Sequence, residues 1–574
     1  MSIRYSIKIE QNVPIAMRDG TILRCDVYRP DLPGRFPAIV VRTPYNKRSF
    51  HRILFHPVEM ARAGYAFVIQ DLRGRFESEG VWERHRMFEV EPQDGYDTVE
   101  GIAAMPWCDG NVALAGPSYM GSMQWITAMA NPPHLRAFAP YVTDINTNIS
   151  PPPECGVINF SGIHAMPRTA FNLLDKLEEQ GEDVGEMRSY LEKMVRDPDW
   201  AIRYLPFKQF PLNRYEPIRK MIEQRLNPPS FEEMRRRRRY ERITVPGLHV
   251  GGWFDQFDWA VFAHFNGLRE KGGSDLARSG QHVLIGPWDH YNPTGHLGSL
   301  EFGTSSNDEM LLRGYVLDFY DKYVRGRDVD VPAVRYFVMG INEWKTGEAW
   351  PLPQTEWQRW YLRSGGQANT AGGDGVLSRE EPPAEEPADR FVYDPLDPVP
   401  TVGGRVLPLA GMVPGPLDQS ILERRQDILC YTSEPLVMDL EVSGPLILHL
   451  FASTDAVDTD FAAKLIDVYP DGRSILLADG IQRARFRNWD GKPTPVEPGE
   501  IYEFKINLGN TSNVFRKGHR IRIHVSSSNF PLYDRNMNTG NPIGEDATGV
   551  PARQTIFHQA GYASHIDLPV IPER

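Results

Sequence analysis

Apolar positions change their spacing twice along this chain. Up to about residue 145, strand-length apolar runs at 38–41, 66–70 and 112–115 alternate with stretches of helical spacing at 56–63 and 94–104. That alternation predicts a parallel sheet with crossover helices, because parallel neighbours cannot be joined by a tight hairpin. Between about 147 and 240 the strand signal lapses, and 169–179 and 186–195 repeat apolar residues at helical spacing. A helical insertion is expected there. Apolar runs resume at Val245, and a helix over 307–323 is expected to complete the first folding unit. Beyond Pro351 helical spacing disappears. Alternating runs such as 446–451 and 520–525 recur between turns rich in Gly, Pro, Asn and Asp, which predicts a β-sandwich. The Gly-, Pro- and Glu-rich stretch 365–389 is expected to be a loose surface loop.

One apolar run ends in chemistry. Leu114-Ala115-Gly116-Pro117-Ser118-Tyr119-Met120-Gly121 stops at a serine flanked by glycines, with a helix-compatible stretch from Ser122 to Ala130 behind it. A nucleophile elbow needs this arrangement, since a serine on a sharp strand-to-helix turn takes a strained backbone and tolerates only small neighbours. The same letters also fit an ordinary strand-turn-helix junction, and the second glycine stands one place later than in G-x-S-x-G. Chain order adds weight. The strand signal at Val245–Gly252 runs into Trp253-Phe254-Asp255, and that at His282–Gly286 runs into Pro287-Trp288-Asp289-His290, which gives serine, acid and histidine in the order of α/β-hydrolases. Serine is a poor nucleophile until an imidazole takes its proton, and the imidazole needs an acid to fix its tautomer. Ser118, His290 and Asp255 are the candidates. Asp289 adjoins the histidine and points away from it in extended chain, and His282 begins an apolar strand. Chain order alone does not separate Asp255 from Asp258.

Composition narrows the classes. With 574 residues, 41% of them hydrophobic, the chain exceeds one core and predicts two or three domains. A formal charge of −12 weighs against nucleic acid as the main partner. The arginine run 235–239 is bracketed by Glu232, Glu233 and Glu241, so a solvated helix face with ion pairs is expected. No apolar run approaches the roughly 18 residues of a membrane span and no leader pattern is seen, so a cytoplasmic protein without membrane contact is expected. Cys25, Cys108, Cys155 and Cys430 are scattered, as reduced buried thiols would be, and predict neither disulfide framework nor zinc site.

The motifs together resemble the bacterial cocaine esterase family, which includes X-Pro dipeptidyl-peptidases and α-amino acid ester hydrolases. The likeness rests on Pro14-Ile15-Ala16-Met17-Arg18-Asp19-Gly20, Arg42-Thr43-Pro44-Tyr45-Asn46-Lys47, Val68-Ile69-Gln70-Asp71-Leu72-Arg73-Gly74, Trp107-Cys108-Asp109-Gly110-Asn111-Val112, the elbow, Gly252-Trp253-Phe254-Asp255 and Gly286-Pro287-Trp288-Asp289-His290. It continues through Phe337-Val338-Met339-Gly340, Tyr393-Asp394-Pro395, Val457-Asp458-Thr459-Asp460-Phe461 and Ser526-Ser527-Ser528-Asn529-Phe530-Pro531. The family's G-x-S-Y-x-G elbow accounts for the displaced glycine.

The resemblance implies an α/β-hydrolase domain (1–146 and 241–350) interrupted by a helical cap (147–240) and followed by an all-β jelly-roll domain (351–574). It implies an oxyanion hole made by the backbone N–H of Tyr119 and the phenol of Tyr45. It also implies a substrate pocket drawn from cap residues, Phe257 and Trp259, and a jelly-roll loop containing Leu407 and Pro408. The cap stretch 149–155 and the loop Arg405-Val406-Leu407-Pro408-Leu409 differ from those of cocaine esterase, so cocaine itself is not implied as substrate. The expected activity is a serine carboxylesterase that opens a small-molecule ester through an acyl-enzyme, without metal or organic cofactor. An amide-directed acylase or X-Pro peptidase is the alternative, and an inactive binding protein the third. Whether the chain forms a homodimer is left open.

Overall fold

The computed structural model describes residues 6–49, 56–145, 155–227, 231–291, 293, 295–307, 309–490 and 492–572. Eight strands lead into the first sheet: β1 (Ile7–Ala16), β2 (Ile22–Pro30), β3 (Phe36–Thr43), β4 (Ala66–Asp71), β5 (Cys108–Pro117), β6 (Leu135–Tyr141), β7 (Gly247–Gly252) and β8 (Gln281–Gly286). A short hairpin of β9 (His296–Leu297) and β10 (Leu300–Glu301) stands apart, and β11 (Val334–Val338) and β12 (Glu343–Gly347) rejoin the main sheet. The sheet has ten strands in the order β1-β2-β4-β3-β5-β6-β7-β8-β11-β12. Neighbours from β4 through β11 are parallel, while β1, β2 and β12 join antiparallel at the edges. β4, β7 and β8 are buried at every position, as parallel strands covered on both faces must be.

Helices α1 (Pro57–Arg62), α2 (Met87–Ala103) and α3 (Ser118–Ala130) fall between the early strands. The expected insertion between β6 and β7 holds α4 (Pro167–Glu179), α5 (Gly185–Arg196), α6 (Pro198–Arg203), α7 (Glu216–Leu226) and α8 (Phe231–Arg237). After β7 come α9 (Asp258–Lys271), α10 (Asp275–Ser279) and α11 (Glu309–Tyr323). Among the described residues no helix is long and apolar enough to cross a membrane. All four cysteines are buried free thiols.

Several expectations are corrected. The helix over 307–323 does not complete the first unit, because β11 and β12 follow it and extend the sheet. α2 begins at Met87 and not Asp94, because its buried face is polar: Glu91 pairs with Arg42 at 2.8 Å and Asp94 with Arg73 at 2.6 Å. The arginine run is not wholly solvated. Arg237 pairs with Glu233, but Arg238 turns inward, 3.6 Å from Asp144 and with its guanidinium 5.1 Å from the centre of the Trp259 ring. The stretch 149–154 lies outside the described residues, and Cys155 at its end is buried.

The region after residue 350 is all β. Its strands are β13 (Glu356–Arg363), β14 (Val376–Ser378), β15 (Asp389–Tyr393), β16 (Leu429–Thr432), β17 (Leu440–Thr454), β18 (Asp460–Val468), β19 (Ser474–Arg483), β20 (Tyr502–Phe515), β21 (Arg520–Ser526), β22 (Ala552–Phe557) and β23 (His565–Ile571). The stretch 365–389 is not a loose loop. β14 pairs with β13 and β16, Asp374 accepts from the amides of Gly365 and Gln367, and buried Asp389 accepts from Ser364 and Tyr431.

The two sheets share one core. Trp253, Phe254 and Phe262 cluster with Trp350, Leu446, Phe461 and Ile523, and the Trp350 ring stacks on Phe262 with centroids 4.4 Å apart. Met339 N donates to Ser512 O of β20 and Met339 O accepts from Val514 N, both at 2.9 Å. A chain ending at Trp350 is therefore expected to expose an apolar face, aggregate and lose activity. Size-exclusion chromatography and ester turnover of residues 1–350 check this, and a monodisperse protein with full-length rates would show the first unit to be self-sufficient.

Candidate active site

β5 ends at Pro117 and α3 begins at Ser118, with no loop between them. Ser118 is forced into the left-handed region, φ 53°, a conformation that costs an L-residue about 1–2 kcal/mol. Its neighbours explain the glycines. A Cβ on Gly116 (φ 123°) would lie 2.9 Å from Met120 Cβ, and one on Gly121 would lie 2.5 Å from Thr143 Cγ2. The second glycine stands at 121 because that is where the first turn of α3 crosses the chain leaving β6. Gln124 reinforces the turn from within α3: its amide donates to Gly116 O (2.8 Å) and Ala139 O (3.1 Å) and accepts from Ala139 N (2.9 Å).

The loops after β7 and β8 are joined to each other. Trp253 N donates to Gly286 O and Phe254 N to Trp288 O, at 2.9 and 3.0 Å. This carries Asp255 to the histidine. His290 Nδ1 is 2.5 Å from Asp255 Oδ2, and His290 Nε2 is 3.0 Å from Ser118 Oγ. Asp255 and His290 are 1% and 6% exposed, and the other Asp255 oxygen accepts from Phe257 N at 2.9 Å. Three side chains from the ends of three parallel strands thus form one hydrogen-bonded chain. Asp289 instead accepts from Tyr291 N (2.8 Å), and His282 lies between Pro332 O and Tyr323 Oη.

Tyr45 is half-buried, its ring centroid 6.4 Å from that of Tyr119 and nearly perpendicular to it. Its loop is pinned from below. Lys47, wholly buried, pairs with Asp71 at 3.1 Å and its amide donates to the same carboxylate, while Arg75 Nε donates to Pro44 O at 3.0 Å. Burial pushes the Asp71 carboxyl up, against the pull of Lys47. The Tyr119 N–H belongs to the first turn of α3, where amides lack an intrahelical acceptor.

The expected pocket residues separate. The Phe257 ring lies 5.9 Å from that of His290. Trp259, one helical step into α9, instead lines a cavity of about 260 Å³ with Arg238, Phe262, Trp350 and Trp489, among whose lining residues is no member of the hydrogen-bonded chain. Leu407 is buried and Pro408 exposed. Two residues before Leu407, Arg405 makes the contact that the sequence did not disclose: it pairs with Asp258 at 3.1 Å, both of them buried. Asp258 also accepts from Asn510 N (2.7 Å), and Arg405 donates to Asp479 O and Leu508 O (2.7 Å each). Burial pushes the Asp258 carboxyl up to about 6, with Arg405 opposing. Committed in this way, Asp258 does not face His290.

Among the described residues, His449, His565 and Asp567 bring possible metal-ligand atoms within 4.8 Å of one another. The two rings stack 4.7 Å apart and 5° from parallel. Imidazole lone pairs lie in the ring plane, so they do not converge on one ion, and Arg359 holds Asp567 at 3.1 Å.

Residues 19–292 match the family model described as X-Pro dipeptidyl-peptidase (S15 family), and residues 328–567 match that of the X-Pro dipeptidyl-peptidase C-terminal non-catalytic domain. The chain is 38% identical over 579 residues to cocaine esterase of Rhodococcus sp. (strain MB1 Bresler), covering 98% of each chain. Among solved structures, an aminopeptidase from the marine sediment archaeon Thaumarchaeota archaeon superposes with a TM-score of 0.77 at 25% identity, over 100% of this chain and 97% of that one. An α-amino acid ester hydrolase superposes with a TM-score of 0.76 at 24% identity, over 99% and 97%, and so shares the fold.

Arg405→Met leaves the buried Asp258 carboxylate without its counter-charge, and a stability loss of about 3–5 kcal/mol is expected. Adding Asp258→Asn should recover part of it. Denaturant unfolding of the single and double variants checks the coupling, and additive losses would show that the pair does not act as a unit.

Proposed function

The chain belongs to the serine hydrolase family of cocaine esterase and the X-Pro dipeptidyl-peptidases and acts on carboxylic esters, and we propose that Ser118, His290 and Asp255 are its catalytic triad. The observation that carries this reading is the continuous relay from Ser118 Oγ through His290, at 3.0 Å, to Asp255, at 2.5 Å. Ser118 Oγ attacks the ester carbonyl carbon while His290 Nε2 takes its proton. Asp255 stays ionised and stabilises the imidazolium through Nδ1–H. The tetrahedral oxyanion accepts from Tyr119 N–H and from the Tyr45 phenol, donors fixed in place before the charge develops. Collapse breaks the bond to the alcohol, which leaves with the proton from His290, and Ser118 keeps the acyl group. Water then repeats the sequence and releases the acid. No cofactor enters any of these steps.

In this reading residues 1–146 and 241–350 are an α/β-hydrolase domain, 147–240 a helical cap, and 351–574 a jelly roll that closes the cleft. Phe257, beside His290, walls the pocket for a small-molecule ester. Leu407 and Pro408 approach it from the loop that Arg405 anchors, and Trp259 backs it from its own cavity. Amide hydrolysis on the same scaffold is the second reading, favoured by the full-length likeness to an aminopeptidase.

Turnover of 4-nitrophenyl esters of varied acyl length, with amides beside them, tests both. Ser118→Ala and His290→Ala should each lower kcat about a millionfold, and Asp255→Asn on the order of ten-thousandfold. Asp258→Asn should cost stability more than chemistry. If it proves far more damaging to kcat than Asp255→Asn, the acid is misassigned. Tyr45→Phe should lower kcat roughly a hundredfold or more with little change in KM, and near-normal kcat in that variant would remove the phenol from the oxyanion hole.

A further inference from the structure

Arg75, in the turn after β4, is wholly buried. Its partners among the described residues are two main-chain carbonyls: Nε donates to Pro44 O at 3.0 Å and Nη1 to Thr169 O at 3.1 Å, while Nη2 is buried without an acceptor. The rest of the guanidinium lies against rings, 4.6 Å from the centre of Trp82 and 5.2 Å from that of Phe76. Among the described residues no carboxylate bonds to it, and burial pulls it down to about 10, still a cation at neutral pH. A buried guanidinium without a bonded counter-charge costs stability, and a neutral side chain would fill the same space at lower cost. Packing alone therefore does not account for an arginine here.

What the side chain joins does account for it. Pro44 O belongs to the peptide group that leads into Tyr45, and the N–H of that same peptide donates to Thr43 Oγ1 at 3.0 Å. With both ends of the peptide held, the direction in which the Tyr45 side chain leaves the loop is set. Thr169 O lies in the first turn of α4, on the insertion. That turn reaches the other side of the site as well: Arg168 Nη1 donates to Tyr291 Oη at 2.5 Å, and the Tyr291 ring meets that of His290 with centroids 5.3 Å apart. A second bond runs beside the first, from Phe76 N to Asn172 Oδ1 at 3.4 Å. A guanidinium is planar, so the spacing of its donors is fixed, and two carbonyls bound to it are held in one relative position. An ammonium on a flexible stem carries the charge without that spacing.

We propose that Arg75 is a positioning residue whose guanidinium fork clamps the Pro44–Tyr45 peptide to α4, so that the Tyr45 phenol meets the oxyanion only while the insertion is seated, an inference that rests on the active-site reading above.

The test is a double-variant cycle on kcat of the full-length protein, using the 4-nitrophenyl ester that turns over fastest, with circular dichroism to confirm that each variant is folded. Arg75→Met should lower kcat roughly ten- to a hundredfold with little change in KM, and by no more than Tyr45→Phe does, because it acts only through the phenol. In the Tyr45→Phe background the same substitution should change kcat by less than about threefold. Equal losses in the two backgrounds would show an arginine that only supports the fold, and would overturn the proposal. Arg75→Lys keeps the buried charge without the fork and goes through the same cycle, so a misfolded Arg75→Met does not leave the question open. Its loss of kcat should again disappear in the Tyr45→Phe background, and wild-type kcat in Arg75→Lys would show that no fork is needed. Hydrogen–deuterium exchange of Arg75→Lys tests the link to the insertion: amides in 45–49 and in 170–179 should both exchange faster, and a change confined to 45–49 would overturn the coupling to α4. Near-normal kcat in Tyr45→Phe alone would remove the oxyanion-hole reading and the proposal with it, a result distinct from equal losses beside an impaired Tyr45→Phe.

Discussion

The contact between Asp258 and Arg405 is the constraint on which the site's geometry depends. Two buried charges are favourable only when their remaining donors and acceptors are satisfied, since the desolvation of each ion otherwise exceeds their attraction. Here most of the remaining partners come from the β region: Asn510 N for the carboxylate, Asp479 O and Leu508 O for the guanidinium, whose Nε has no partner among the described residues. The acid loop of the first sheet is therefore completed by backbone of the second. Asp258 opens α9 three residues after Asp255, so what fixes one fixes the approach of the other to His290.

A similar logic governs the opposite side of the site. Tyr45 would be a mobile side chain on a loop if Lys47 and Asp71 were not buried together beneath it. Arg42, Gln70, Glu91 and Thr98 extend that network under the same strand ends, through bonds of 2.8 to 3.0 Å. The elbow adds strain of its own in Ser118 and offsets it with the Gln124 clamp and close packing at Gly121. Rigidity around Ser118 and Tyr45 thus comes from polar interactions in a dry interior, where each is electrostatically stronger than in water and where losing one partner leaves the other exposed to the full desolvation cost.

What the sequence disclosed and what it hid divide along the same physical line. Strands β3 to β5, helices α4 and α5 of the insertion and the serine, acid and histidine loops were legible because each is encoded by residues close together in the chain. The first turns of α2 were hidden because its inner face there carries Glu91, which is buried by pairing with Arg42, so the apolar spacing becomes readable only further along the helix. The stretch 365–389 has the composition of a loop, but Asp374 and Asp389 hold it through hydrogen bonds that composition does not express. Arg238 and Arg405 were unreadable for a different reason: a charge's partner is set by tertiary placement, and nothing local distinguishes an arginine that faces water from one that faces Asp144 or Asp258. Trp259 adjoins residues at the site in sequence and lines a different cavity, because one helical step turns a side chain through about 100°.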